Sequence, residues 1–217
     1  MFAGAYRRHC SPGPSEEQSL TPLHLKPGLF GLSHWAAIAH SHDLGLASHL
    51  SAVAQLTVQF SDYLGCSSKE QRVLRRAAFL HDIGKIRVPA PLLCKPGKLT
   101  GRELQIMQSH PWLGYELLSR AGEWNEVVLT VARDHHERLD GSGYPRGIGG
   151  SEIGFRVRLI TICDVYCAMT EERPYAETMS WNLALERMSQ KGTRLDMDLL
   201  DAFSTMITCH HSHRGTW

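Results

Sequence analysis

The chain carries almost no net charge, with 23 lysines and arginines against 22 aspartates and glutamates. It therefore has no broad basic field to attract a nucleic acid polymer or an anionic membrane. No stretch approaches the roughly 18 uninterrupted apolar residues of a membrane-spanning helix, so no membrane span is expected. Arg7 and Arg8 stand near the start, but no long apolar run follows them, and no secretory signal is expected. Six cysteines, at positions 10, 66, 94, 163, 167 and 209, make no CxxC pair. They read as reduced, mostly buried thiols of a cytoplasmic protein. Convincing strand-like alternation is missing, and so are internal repeats and low-complexity segments.

Histidine, in contrast, is abundant: 13 of 217 residues. It is the commonest metal ligand and a frequent proton carrier, so its placement matters first. At roughly 150 residues per domain, the length fits one domain and an extension. Residues 1–33 read as an irregular extension or linker, with Ser11-Pro12-Gly13-Pro14 and Lys26-Pro27-Gly28 as breakers. Residues 34–208 read as the domain and 209–217 as a flexible tail. The tail holds His210-His211-Ser212-His213, which resembles a metal clamp but is expected to be solvated.

The domain reads as all-α. Leu46, Leu50, Val53, Thr57, Phe60 and Leu64 form one helical stripe, and His49 lies at its start. Val73, Leu74, Ala77 and Ala78 form a second, which runs into His81 and Asp82. Thr100 and Glu103 predict a capping box opening a short helix with Leu104 and Met107. His110 precedes Pro111 and should sit at a break. Val127, Val128, Val131 and Ala132 lead to His135, before a glycine-rich loop over 140–150. Val157, Ile160, Thr161, Asp164 and Ala168 share the next face, and two further helices are expected around Leu183–Met188 and Leu199–Ile207.

A histidine or aspartate thus sits on, or at the end of, one apolar face after another. A buried aspartate needs a partner, either a metal or a cation such as Arg158. A lone histidine on such a face is commonly a hydrogen-bonded core residue, and an adjacent His-Asp can be a cap. Together the positions allow imidazoles and carboxylates from separate helices to meet in one interior, as in helical metal sites. That donor mixture suits Mn, Fe, Zn or Ni better than Mg or Ca.

His81-Asp82-Ile83-Gly84-Lys85 and the run from His135 through His136-Glu137-Arg138-Leu139-Asp140-Gly141-Ser142-Gly143-Tyr144 to Pro145 resemble the two signatures of the HD-GYP family. That family is a branch of the HD superfamily of metal-dependent phosphohydrolases, and the resemblance covers about 43–205. It implies an HD-domain helical bundle with a binuclear metal centre in its core. The implied cofactors are two divalent transition-metal ions, and the implied activity is hydrolysis of cyclic di-GMP to pGpG or GMP. Position by position, His49, His81, Asp82 and Asp164 match the ligands of one metal. Asp82 would bridge to the second, completed by His110, His135 and His136. Lys85 matches a lysine beside the scissile phosphate, and Arg173 an arginine that clamps a substrate phosphate. The Gly141–Pro145 loop is expected to be a shaped lip or a surface for signalling proteins, and an upstream sensory domain is expected to be missing.

Four positions depart from the family pattern. Gly45 stands where some members place a glutamate for a third metal, so two metals are expected. Cys167 replaces a usual aspartate, Ala176 a usual arginine or lysine, and His42 a common arginine. Two rivals follow: an HD nucleotide phosphohydrolase, disfavoured by the GYP segment, and a catalytically weak binding domain. Cys167 and Ala176 favour the latter; the complete ligand set disfavours it.

Overall fold

A computed structural model describes residues 30–171 and 178–214. Among these residues there are helices and turns but no strand. The helices are α1 (Leu32–His42), α2 (Leu44–Tyr63), α3 (Ser68–Leu80), α4 (Ala90–Leu93), α5 (Gly101–Met107), α6 (His110–Arg120), α7 (Glu126–Asp134), α8 (Phe155–Thr170), α9 (Trp181–Ser189) and α10 (Met197–Arg214). A short 3-10 turn, Ile83–Arg87, follows α3.

Polar residues fix where α2, α3, α5 and α7 begin. Asp43 accepts a hydrogen bond from the Leu46 amide and separates α1 from α2. Ser67 with Glu70 forms a reciprocal capping box on α3, and the expected box of Thr100 with Glu103 opens α5. Asn125 caps α7 by accepting from Val127. These contacts satisfy amide groups that a helix start leaves without a partner.

Packing follows the apolar faces. α2 lies against α3 and α8, α3 against α7, and α6 against both α7 and the Ile83–Arg87 turn. Leu50, Val53, Phe60, Leu74, Leu80, Val128, Val131, Ile160 and Phe203 are buried in one core. Phe60 and Tyr166 each meet Phe203 edge-on with centroids 5.1 Å apart. Such geometry matches the positive edge of one ring to the negative face of another.

Two elements differ from the sequence reading. Val157, Ile160, Thr161 and Asp164 of the expected face of α8 are buried and Ala168 is half-buried, but Leu159, Ile162, Cys163, Tyr166 and Cys167 are buried too. A helix covered on most sides occupies the centre of the bundle rather than its surface. The last helix also runs past Ile207 to Arg214, so the segment expected as a flexible tail is helical as far as that residue. There His211 stacks on Trp181, 4.8 Å away and nearly parallel.

Candidate metal centre

The helices end where the site needs them to. His81 closes α3, His110 opens α6 and His135 closes α7. His49 projects from within α2 and Asp164 from within α8. Gly84 brings α6 close: a Cβ there would lie 2.0 Å from the His110 carbonyl oxygen and 2.5 Å from the Gly114 nitrogen. Only glycine allows that backbone approach, and it is this approach that sets His110 against Asp82.

All seven residues expected as ligands are brought together, in two groups that could each hold a metal ion. One is His49, His81 and Asp164; the other is Asp82, His110, His135 and His136. Asp82 stands between them. Its Oδ2 lies 3.5 Å from His81 Nε2 and 3.9 Å from His49 Nε2. Its Oδ1 lies 2.9 Å from His110 Nε2 and 3.4 Å from His135 Nε2. Asp164 Oδ1 lies 3.1 Å from His49 Nε2 and 3.6 Å from His81 Nε2. Arg158, the other possible partner of a buried aspartate, pairs instead with Asp196 at 2.5 Å.

The outer nitrogen of each principal imidazole is already used. Nδ1 of His81 faces the Ala78 carbonyl at 2.6 Å, and that of His110 the Met107 carbonyl at 2.7 Å. Nδ1 of His135 faces the Val131 and Ala132 carbonyls at 3.0 and 3.2 Å. A carbonyl only accepts, so these Nδ1 atoms carry the proton and the inward Nε2 keeps its lone pair. Among the described residues, buried His81 Nε2 and Asp82 Oδ1 have no aligned hydrogen-bond partner. Buried polar atoms without partners are costly, and a cation between these donors would satisfy them. The residues fit a metal.

Electrostatics agree. Burial works against ionised Asp82, yet Lys85, His81 and His110 hold its carboxyl well below the ordinary range. Burial opposes ionised Asp164 too, but the hydrogen bond with His49 and the His81 imidazole close beside it hold its carboxyl well below the ordinary range as well. Burial pushes His135 down to about 4 and His136 well below the usual imidazole value. Neutral imidazoles and ionised carboxylates are the forms that bind metal. His49 differs: burial lowers it, but hydrogen bonds with Asp164 and Glu171 carry it up to about 9. Lys85 Nζ donates to Asp82 Oδ2 and is part-exposed at the rim.

The second signature builds a loop around His136. Tyr144 stacks on the His136 ring with centroids 4.7 Å apart, and its amide donates to the His136 carbonyl. Buried Glu137 accepts from the amides of Arg146 at 2.6 Å and Ile148 at 3.1 Å. A Cβ on Gly143 would meet Glu137 Cα at 2.4 Å, which explains that glycine as a close backbone crossing. Arg173 and Ala176 lie outside the described residues. Gly45 stands one helical turn before His49 and offers no side chain there. His42 ends α1 with its Nε2 buried and without a hydrogen-bond partner among the described residues. Sequence reasoning missed Glu171, whose Oε2 lies 2.8 Å from His49 Nδ1. Its spacing from Asp164, two helical turns, was the available signal.

Comparison with known proteins places these observations. A family model described as "HD domain" matches residues 34–199. The chain is 39% identical over 173 residues to the cyclic di-GMP phosphodiesterase response regulator RpfG of Xanthomonas campestris pv. campestris, covering 79% of this chain and 46% of that protein. The chain therefore spans less than half the length of that relative. A solved cyclic GMP-AMP-specific phosphodiesterase of Vibrio cholerae, V-cGAP3, is 30% identical, with a TM-score of 0.53 over 82% of this chain and 40% of the other. Bd1817, described as a HDG"Y"P protein from Bdellovibrio bacteriovorus, shares the fold at 18% identity, with a TM-score of 0.62 over 80% and 53% of the two chains.

Proposed function

The chain belongs to the HD domain family, in its HD-GYP branch, and from this premise we propose that it hydrolyses a phosphodiester bond of a cyclic dinucleotide, with cyclic di-GMP the leading substrate. The observation that carries the reading is Asp82, whose two oxygens face two separate donor groups. HD domains imply divalent metal. We assign two ions, with Asp82 shared, His49, His81 and Asp164 on one side, and His110, His135 and His136 on the other. The mixed imidazole and carboxylate set favours Fe, Mn, Ni or Zn. When bound, such a pair supplies an activated water and neutralises phosphate charge.

The chain's own residues would do the rest. Backbone carbonyls hold His81, His110 and His135 with Nε2 inward. Lys85 sits beside Asp82 at the rim, where an ammonium can meet a non-bridging phosphate oxygen. Arg173 is assigned to a phosphate clamp from the sequence pattern alone. Water attack on phosphorus, with departure of the 3′ oxygen, converts cyclic di-GMP to linear pGpG; a second cut gives GMP. The Gly141–Pro145 loop, through Tyr144, shapes the His136 side of the site, and a role in binding signalling proteins would use its exposed outer edge. The relatives' printed names include cyclic GMP-AMP as well as cyclic di-GMP.

The test is product chromatography after incubating metal-loaded protein with cyclic di-GMP, 3′3′-cGAMP and a dNTP in parallel. Linear dinucleotide or mononucleotide from a cyclic substrate is expected. Turnover of the dNTP alone would replace this reading with that of a nucleotide phosphohydrolase.

A further inference from the structure

Four imidazoles face Asp82 through Nε2, but only three of them are held by the main chain. His81, His110 and His135 stand at helix ends. The last turns of α3, α5 and α7 leave carbonyls short of helical amide partners, and the three Nδ1 atoms take these, His135 sharing the Val131 carbonyl with its own amide. His49 cannot do the same. It sits in the second turn of α2, which continues to Tyr63, so the carbonyls of the turn before it are committed to the helical ladder.

Its Nδ1 is met instead by a side chain 122 residues away, Glu171, with Oε2 at 2.8 Å. Glu171 is the C-cap of α8, two turns beyond Asp164. The two carboxylates therefore bracket one ring: Asp164 at Nε2, 3.1 Å away, and Glu171 at Nδ1. The other oxygen of Glu171, Oε1, is buried and without a hydrogen-bond partner among the described residues. Among the described residues this carboxylate is thus committed to His49 rather than to a neighbouring cation or amide.

We propose that Glu171 is a positioning residue for the metal held by His49, His81 and Asp164, fixing the His49 ring with its proton on Nδ1 so that Nε2 can ligate. The assignment rests on the two-metal reading above. Carboxylate partners of this kind set the tautomer, hold the ring and raise ligand basicity, and their loss typically weakens metal binding by about 10–100-fold. The effect should be confined to one of the two ions, because no residue of the His110, His135 and His136 group contacts Glu171 in the hydrogen bonds described.

The experiment is calorimetric titration of metal-free wild type, Glu171→Ala and Glu171→Gln with Mn2+, backed by elemental analysis and circular dichroism. Wild type should bind two ions. Glu171→Ala should bind one ion as wild type does and the other about 10–100-fold more weakly, with helicity unchanged. Glu171→Gln keeps an oxygen able to accept from Nδ1 and should recover at least a third of the lost affinity on a logarithmic scale. Two ions bound by Glu171→Ala within threefold of wild type would overturn the proposal. So would a wild type with three ions and a variant with two, since Glu171 would then be a direct ligand. If wild type bound no metal, the two-metal reading itself would fail, a result distinct from either.

Discussion

Asp82 has two oxygens facing opposite ways, and that makes it the residue on which most depends. Asp82→Ala should abolish binding of both metals and all hydrolysis while helical circular dichroism is kept, because its neighbours are held by their own backbone contacts. Elemental analysis of the variant checks this, and two retained metals per chain would refute the shared-ligand assignment. Wild type prepared without oxygen should hold about two ions, not three, given Gly45 in place of a carboxylate. Gly84 matters for a steric reason. Gly84→Ala forces a Cβ into the His110 carbonyl and the Gly114 amide. It should cost roughly 1–3 kcal/mol in a urea titration, as overpacking does, and should weaken the metal that His110 serves. The candidate ligands were legible in the sequence because each ends or interrupts an apolar stripe: His81 after Ala78, His135 after Val131, Asp164 after Ile160. Glu171 was not legible in that way. It sits just past the end of α8 and its partner His49 is far away in sequence, so the only signal was its spacing of two helical turns from Asp164, on no apolar stripe.

At the scale of elements, periodicity located α2, α3, α7 and α8, and the Thr100 and Glu103 capping box marked the start of α5; the box of Ser67 with Glu70 on α3 was not read from the sequence. Periodicity misjudged the surroundings of α8, whose flanks read as ordinary apolar positions but are covered by α2, α7, α9 and α10. The loop after α7 read as a lip because it is rich in glycine. The sequence could not show that Glu137 turns inward and ties two loop amides to its carboxylate. A charged acceptor in a buried setting is worth roughly 1.5–3 kcal/mol. Glu137→Ala should therefore speed hydrogen exchange of the Arg146 and Ile148 amides by about tenfold or more, while amides in α2 keep their protection. Equal acceleration throughout would point to global destabilisation instead.

For the whole molecule, the two donor groups join α2, α8 and the ends of α3, α6 and α7, so metal should act as a staple across the bundle. A ligand that binds only the folded state at a hundred times its Kd adds about 2.7 kcal/mol. For a domain of this size that corresponds to about 5–10 °C in Tm. Chelation should lower Tm by about that amount, and restored metal should recover it; calorimetric scans with and without chelator give the answer. The fold class and the site were legible together, because the same histidines that end apolar stripes also bring helix ends to one point. The substrate is less so, since the chain covers under half of the RpfG relative and the segment around Arg173, proposed as a phosphate clamp, lies outside the described residues.

The central claim is that this site hydrolyses a cyclic dinucleotide at phosphorus. Mass spectrometry of the product formed from cyclic di-GMP in 18O-labelled water tests it most directly. The metal-loaded protein should give linear pGpG carrying one 18O per cleaved bond, on the newly freed 5′-phosphate, and the chelated protein should give none. Intact cyclic di-GMP in the presence of a fully metal-loaded site, or a linear product without label on phosphorus, would contradict the account.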